Sequence, residues 1–330
     1  MRALVLRAFG GPENFELADL PMPEVRPGTV LVKVAATSVN QVDTKIRGGL
    51  PIGPDSPMVL GSDVAGTVEA VGSGVVDFSP GDEVYGCAGG VKGQGGALAE
   101  YLLADARLLA PKPTTLTMHE AAALPLVSLT AWDGLERTNL SASDHILIHG
   151  GSGGVGHIAI QFAKIIGARV ATTVGSDKAG SLAAAFGADE TIVYVDEKVD
   201  RYVDRLTAGR GFDVVFDTVG GNNLAVSFAA AAENGRVITT NARTTLDLGM
   251  LHAKALSFGV IFMLLPMLRG PGRDRHGRIL RSLARFVDTG LVRPLMDDSH
   301  FTLATAPDAH RRIEAGQATG KIVIDIAEIV

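Results

Sequence analysis

One cysteine, Cys87, stands among 330 residues. It has no partner for an internal disulfide, and its isolation excludes a cysteine-rich zinc site. Positive charge is not in excess: 30 Lys and Arg face 36 Asp and Glu, for a formal charge of -6. Such a surface repels a phosphate backbone, so nucleic acid is not an expected partner. Long apolar runs are also missing. The best candidate, residues 256–268, is interrupted by Pro266 and falls short of the about 20 residues that a bilayer requires. It reads as core or interface, and no membrane association is expected. The chain opens on four apolar residues, Ala3 to Leu6, held between Arg2 and Arg7. That is an opening strand rather than a signal peptide or an anchor, and the expected location is cytoplasmic.

What is present is a globular composition, 46% hydrophobic and 20% charged with 40 glycines, over a length that suits two domains. Short valine-rich runs at 30–34, 66–72 and 80–84, punctuated by Gly, Pro and Asp, predict a compact, barrel-like β unit in the first hundred or so residues. From Thr117 the texture changes. Strand-like runs at 146–148, 170–174, 214–216 and 237–239 alternate with alanine-rich helical stretches. That alternation implies right-handed βαβ crossovers and a parallel, doubly wound α/β sheet. A last strand at 320–326 follows a helix around 307–314. From the residues alone it can extend the second domain or return to complete the first.

The strongest local signal is the strand from His145 to His149, followed by Gly150, Gly151, Ser152, Gly153, Gly154, Val155 and Gly156 and then a helical stretch to Ile166. Gly151, Gly153 and Gly156 fit the GxGxxG spacing in the strand-to-helix context that makes it a dinucleotide site. The first glycine is expected to permit the turn, the second to let backbone approach a pyrophosphate, and the third to let the helix pack closely. Backbone N–H groups of Ser152, Gly154 and Val155 would face the phosphate charge. The next strand ends at an uncharged Val174, where an NAD site would place an acid on the ribose hydroxyls. NADP(H) is therefore favoured, with Ser176 and Lys178 as candidates for the 2′-phosphate. Asp177 opposes this if it points inward, and Lys178 also reads as an ordinary solvated lysine. His149 reads as a packed residue rather than a base.

The residues 34–43, which include Asn40 and Asp43, the turn 60–66, the segment Leu129-Thr130-Ala131-Trp132, the glycine loop and the closing Gly320-Lys321-Ile322-Val323 occur in order. Together they resemble the medium-chain dehydrogenase/reductase superfamily, and within it the zinc-independent quinone oxidoreductase branch, over nearly the whole chain. The resemblance implies a GroES-like β-barrel domain over 1–118, completed by 298–330, and a Rossmann domain over 119–297, with the active site in the cleft between them and a homodimer as the assembly. Positions that hold catalytic zinc in related alcohol dehydrogenases correspond to Asn40, Ser62 and Leu126, and the structural-zinc lobe is shortened to 86–90. None of these is a strong zinc ligand, so no metal is expected.

Without a Lewis acid to stabilise an alkoxide, the expected chemistry is reduction of an activated acceptor. The resemblance places Asn40 beside the nicotinamide as a donor to the acceptor oxygen, Thr130 at the nicotinamide ribose, Asn241 along the cofactor and Lys321 over it. Each has a plainer reading: Asn40 as a helix cap, Thr130 as a hydroxyl bonded back to its own helix, Lys321 as an edge-strand lysine. Aromatic residues that quinone reductases of this branch often carry near Lys45 and Pro51 are missing, so enals, enones and haloacrylate-like alkenes compete with quinones as substrates. The expected function is NADPH-dependent, metal-free reduction of a quinone or an α,β-unsaturated carbonyl. The alternatives are a noncatalytic NADPH-binding protein of lens or RNA-binding type, and an alcohol dehydrogenase with an atypical metal site drawing on Asp43 and Asp63.

Overall fold

A computed structural model describes residues 1–326 and divides into two compact units. The first comprises Met1–Leu129, Leu264–Gly290 and the chain from Pro294; the second comprises Thr130–Met263 with Leu291–Arg293. These joins differ from the expected ones at 118/119 and 297/298. The first falls inside the helix Pro125–Arg137. The helix Arg273–Asp288 goes with the first unit, because its buried face, including Ile279, Leu280 and Leu283, packs on the barrel and Tyr85 Oη donates to the Leu280 carbonyl at 2.6 Å. Residues 327–330, the end of the expected barrel segment, lie outside the described residues.

In the first unit the valine-rich runs form strands, as their β-branched content favours. The long strand Thr29–Val39 is its centre, pairing antiparallel with Asp63–Val71, Tyr101–Asp105 and Ile322–Asp325. Asp63–Val71 continues to Glu83–Cys87 and then Leu109–Pro111. A smaller sheet is built on the opening strand, with Arg2–Leu6 between Phe15–Asp19 and Met58–Val59. The C-terminal strand thus returns to the first unit. Its register, Ile322 opposite Val39, brings Lys321 alongside Asn40.

The second unit is a six-stranded parallel sheet in the order Glu190–Val193, Arg169–Val174, His145–His149, Phe212–Asp217, Ala231–Thr239, Ser257–Val260. Numbered along the chain this is 3-2-1-4-5-6, the doubly wound order in which a crevice opens where the winding reverses, outside the carboxyl ends of the first and fourth strands. The central strand carries Ile146, Leu147 and Ile148 fully buried, a continuous apolar run because helices cover both faces. Around Leu147 the core gathers Phe212, Val215 and Phe228, each such side chain contributing about 1.5–3 kcal/mol when buried. The apolar stretch 256–268 divides into the outer strand Ser257–Val260 and the short helix Leu265–Arg269. Among the described residues no helix is long and apolar enough to cross a membrane.

Candidate functional site

In the second unit the candidates follow the carboxyl ends of the parallel strands, which the register brings level: His149 lies opposite both Thr173 and Asp217, and Asp217 opposite Thr239. The glycine loop leaves the central strand here. Its left-handed residue is Gly150, at φ +78°, not Gly151. Gly151 is needed for space instead, because a Cβ there would lie 2.2 Å from Thr172 Oγ1. At Gly156 a Cβ would sit 2.0 Å from the Gly150 carbonyl oxygen, so the loop folds directly onto the first turn of the helix Gly154–Ile166. Gly153 is the N-cap of that helix and brings no side-chain acceptor to its first N–H groups. Intrahelical geometry leaves those groups unpaired, which is the arrangement that receives an anion. The loop therefore fits a dinucleotide pyrophosphate.

Val174 ends the neighbouring strand, and Gly175 to Lys178 are exposed beyond it. Ser176 is the N-cap of the helix Asp177–Ala185, its Oγ accepting the Ala179 N–H at 3.3 Å, which leaves its own hydroxyl hydrogen to donate. Asp177 is the first residue of that helix and is exposed. The sequence reading missed Tyr194, whose hydroxyl lies 3.3 Å from where a Gly175 Cβ would be and whose N–H donates to the Val174 carbonyl. The available signal was a tyrosine directly after the strand that pairs with Val174.

Asn241 sits just past the strand Ala231–Thr239, its carbonyl accepting the Gly221 N–H at 3.0 Å. Asp217 shapes the facing turn by accepting N–H from Val219 and Gly220 and the Ser227 hydroxyl. Thr130 is buried in the helix Pro125–Arg137. His149 is a packed residue: it is buried, its Nδ1 meets Thr173 Oγ1 at 3.0 Å, and burial pushes its pKa down to about 4.

The first unit holds a second group, in which Asn40 and Lys321 meet. Asn40 heads the helix Gln41–Arg47, and Asp43 Oδ2 accepts its N–H at 2.8 Å. Its carboxamide is held by side chains from outside the helix. Nδ2 donates to Asp63 Oδ2 at 2.8 Å, and Oδ1 accepts from Lys321 Nζ at 2.5 Å. Asp63 also accepts the Ser38 hydroxyl and the Leu126 N–H, and Ser62 Oγ donates to Asp43 Oδ1. Asn40 and Lys321 are 4% and 3% exposed, so Lys321 is no edge-strand lysine with its charge in water. Burial lowers the Lys321 pKa, with Asp63 opposing, and burial raises Asp43 to about 6, with the Asn40 N–H and the Ser62 hydroxyl opposing.

This donor set does not fit zinc. Of the three corresponding positions, Leu126 has an aliphatic side chain with no ligand atom and its N–H donates to Asp63, Ser62 and Asn40 already donate to carboxylates, and the cation facing Asp63 is an ammonium. Among the described residues no group of three or more His, Cys, Asp or Glu is placed to hold a metal ion.

Residues 26–114 match the family model of the alcohol dehydrogenase GroES-like domain, and residues 186–324 that of the zinc-binding dehydrogenase. The chain is 35% identical, over 98% of its own length and 79% of the relative's, to an NADPH-dependent alkenal/one oxidoreductase of Arabidopsis thaliana chloroplasts. It is 35% identical, over 96% of its length and 97% of the relative's, to a quinone oxidoreductase of Pseudomonas aeruginosa. Among solved structures, an alcohol dehydrogenase superfamily protein from Novosphingobium aromaticivorans superposes with a TM-score of 0.94 at 38% identity, covering 99% of this chain and 100% of that one. The chain belongs to the medium-chain dehydrogenase/reductase superfamily, in its quinone oxidoreductase-like branch.

Proposed function

We propose that this chain is an NADPH-dependent reductase that passes a hydride to a quinone or to an α,β-unsaturated carbonyl without a metal. The observation that carries this reading is the buried Asn40–Asp63–Lys321 cluster, which supplies a fixed amide donor where a metal-dependent relative needs ligands. The names of the Arabidopsis and Pseudomonas relatives, which specify an alkenal or alkenone and a quinone, support the two acceptor classes.

The glycine loop holds the pyrophosphate through the N–H groups at the start of the helix Gly154–Ile166. Ser176, Lys178 and Tyr194 hold the 2′-phosphate with two hydroxyls and an ammonium, Asn241 lines the cofactor, and Thr130 meets the nicotinamide ribose. When bound, the dihydronicotinamide supplies the hydride. An acceptor of this kind spreads the arriving charge onto its own oxygen, so Asn40 Nδ2–H stabilises that oxygen and solvent provides the proton. The protein's part is orientation and a preorganised donor. The exposed outer strand, with Phe258 and Val260 at its surface, supports a homodimer formed by pairing that edge with a second copy.

The test is the initial rate of NADPH and NADH oxidation by chelator-treated protein against quinones, enones and simple aldehydes. Turnover of quinones or enones with NADPH preferred is expected. Tight NADPH binding with no turnover of any acceptor would leave a noncatalytic binding protein, and dependence on added zinc would remove the metal-free mechanism.

A further inference from the structure

The two ends of the Asn40 carboxamide are held by groups of opposite charge. Lys321 Nζ donates to Oδ1 at 2.5 Å and to the Val39 carbonyl at 3.1 Å, while Nδ2 donates to the Asp63 carboxylate. Turning the amide over would put its NH2 against the ammonium and its oxygen against the carboxylate, replacing two charge-assisted bonds by two repulsions. Only one orientation survives.

The brackets are themselves fixed. Lys321 N–H donates to the Leu295 carbonyl, the Lys321 carbonyl accepts from Asp297 N–H, and Gly320 precedes it at φ +74° with no room for a Cβ against Leu295. Asp63 is tied by Ser38 and by the Leu126 N–H. A buried ammonium adds little to stability once its desolvation is counted, so its presence here asks for another role. Among the described residues, Asp63 is the one acceptor of the Asn40 amino group, which leaves the second Nδ2 hydrogen for a ligand.

We propose that Lys321 is a positioning residue acting through Asn40: its ammonium locks the carboxamide so that the second Nδ2–H is presented to the acceptor oxygen. Lys321 thus serves the acceptor side of the reaction rather than clamping the cofactor. This rests on the reading of Asn40 as the donor to that oxygen.

The experiment is a double-mutant cycle of Lys321→Met and Asn40→Ala in the full chain, read as kcat and KM for an enone and as the NADPH Kd by fluorescence. Each single variant is expected to lose about 100- to 1000-fold in kcat, as for removal of one oriented donor, with the NADPH Kd within about threefold of wild type. In the Asn40→Ala background Lys321→Met is expected to cost less than about twofold more, because residues that act as one unit are not additive.

Losses that multiply in the double variant overturn the proposal, since Lys321 then acts independently of Asn40. So does a rise in NADPH Kd as large as the fall in kcat, which would put the ammonium on the cofactor. A wild-type rate for Asn40→Ala alone removes the underlying reading and the proposal with it, and is visible before Lys321 is touched. Should Lys321→Met fail to fold, the pair Lys321→Met with Asp63→Asn, which removes both members of the Lys321–Asp63 ion pair together, takes its place in the cycle with the same expectations.

Discussion

Substituting Gly156 by alanine tests whether the glycine loop is the cofactor cradle. The added Cβ would lie 2.0 Å from the Gly150 carbonyl oxygen, 2.7 Å from the Gly150 carbonyl carbon and 2.9 Å from Gly151 Cα. The first contact is more than about 1 Å inside the ~3.3 Å of a close C···O approach, and every atom struck is backbone. Relief requires moving the Gly150 peptide, whose carbonyl also accepts the Gly153 N–H at 2.9 Å and whose φ is already left-handed. Overpacking of this kind costs about 1–3 kcal/mol.

The displaced groups are the ones proposed to face the pyrophosphate, so part of the distortion falls on binding. Tenfold in Kd corresponds to about 1.4 kcal/mol, and Gly156→Ala is expected to weaken NADPH at least about tenfold by fluorescence titration. Urea unfolding should show the loss of about 1–3 kcal/mol. Gly153→Ala is the control: φ there is an ordinary -83° and the Cβ would lie 3.2 Å from the same oxygen, so under about 1 kcal/mol of stability is expected to be lost. Unchanged NADPH affinity in a Gly156→Ala protein destabilised as expected would refute the placing of the cofactor on this loop.

Two further expectations concern acid and cofactor choice. Burial holds the imidazoles of His149 and His276 near pKa 4 and of His310 near 3, so each is neutral in the fold, and the unfolded chain takes up those protons first. Stability from the neutral forms is full above about pH 6.5 and is lost as pH falls toward 4, roughly 3 kcal/mol or more for each histidine. Asp43, raised to about 6 by burial, works in the opposite sense: its contribution is present below about pH 3.8 and lost as pH rises through about 6. Three imidazoles outweigh one carboxyl, so urea midpoints should fall steadily from pH 6.5 to 4.5, and a flat profile would contradict the burial of neutral imidazoles. Lys178→Ala removes an exposed charge beside Val174 and is expected to weaken NADPH about tenfold while leaving NADH within twofold; equal effects on both would separate Lys178 from the 2′-phosphate.

The glycine loop was legible because its parts are contiguous: a buried strand, spaced glycines and a helix follow one another without interruption. Which glycine does what was less legible, since the crowding at Gly150 and at Gly151 comes from Thr218 and Thr172 in neighbouring segments. The valine-rich runs announced a β unit, and the parallel, doubly wound sheet followed from alternation, though the order of its strands did not. The helix Arg273–Asp288 was different, because amphipathic spacing reveals a buried face but not the surface it covers. The Asn40–Lys321 pair joins residues 281 positions apart. Only the register of Ile322 opposite Val39 creates it, and no local pattern encodes that register. Tyr194 reaches its place by the same kind of pairing, beside Val174.

Hydride transfer to an acceptor, in the absence of metal, is most directly tested by isotope. Chelator-treated protein would be supplied with NADPH deuterated at the transferable C4 position and a simple enone, and the product analysed by mass spectrometry and NMR. One deuterium is expected at the β-carbon of the saturated product, and a proton from solvent at the α-carbon. Deuterium absent from the β-carbon, or transfer that appears only when zinc is restored, would contradict metal-free hydride transfer.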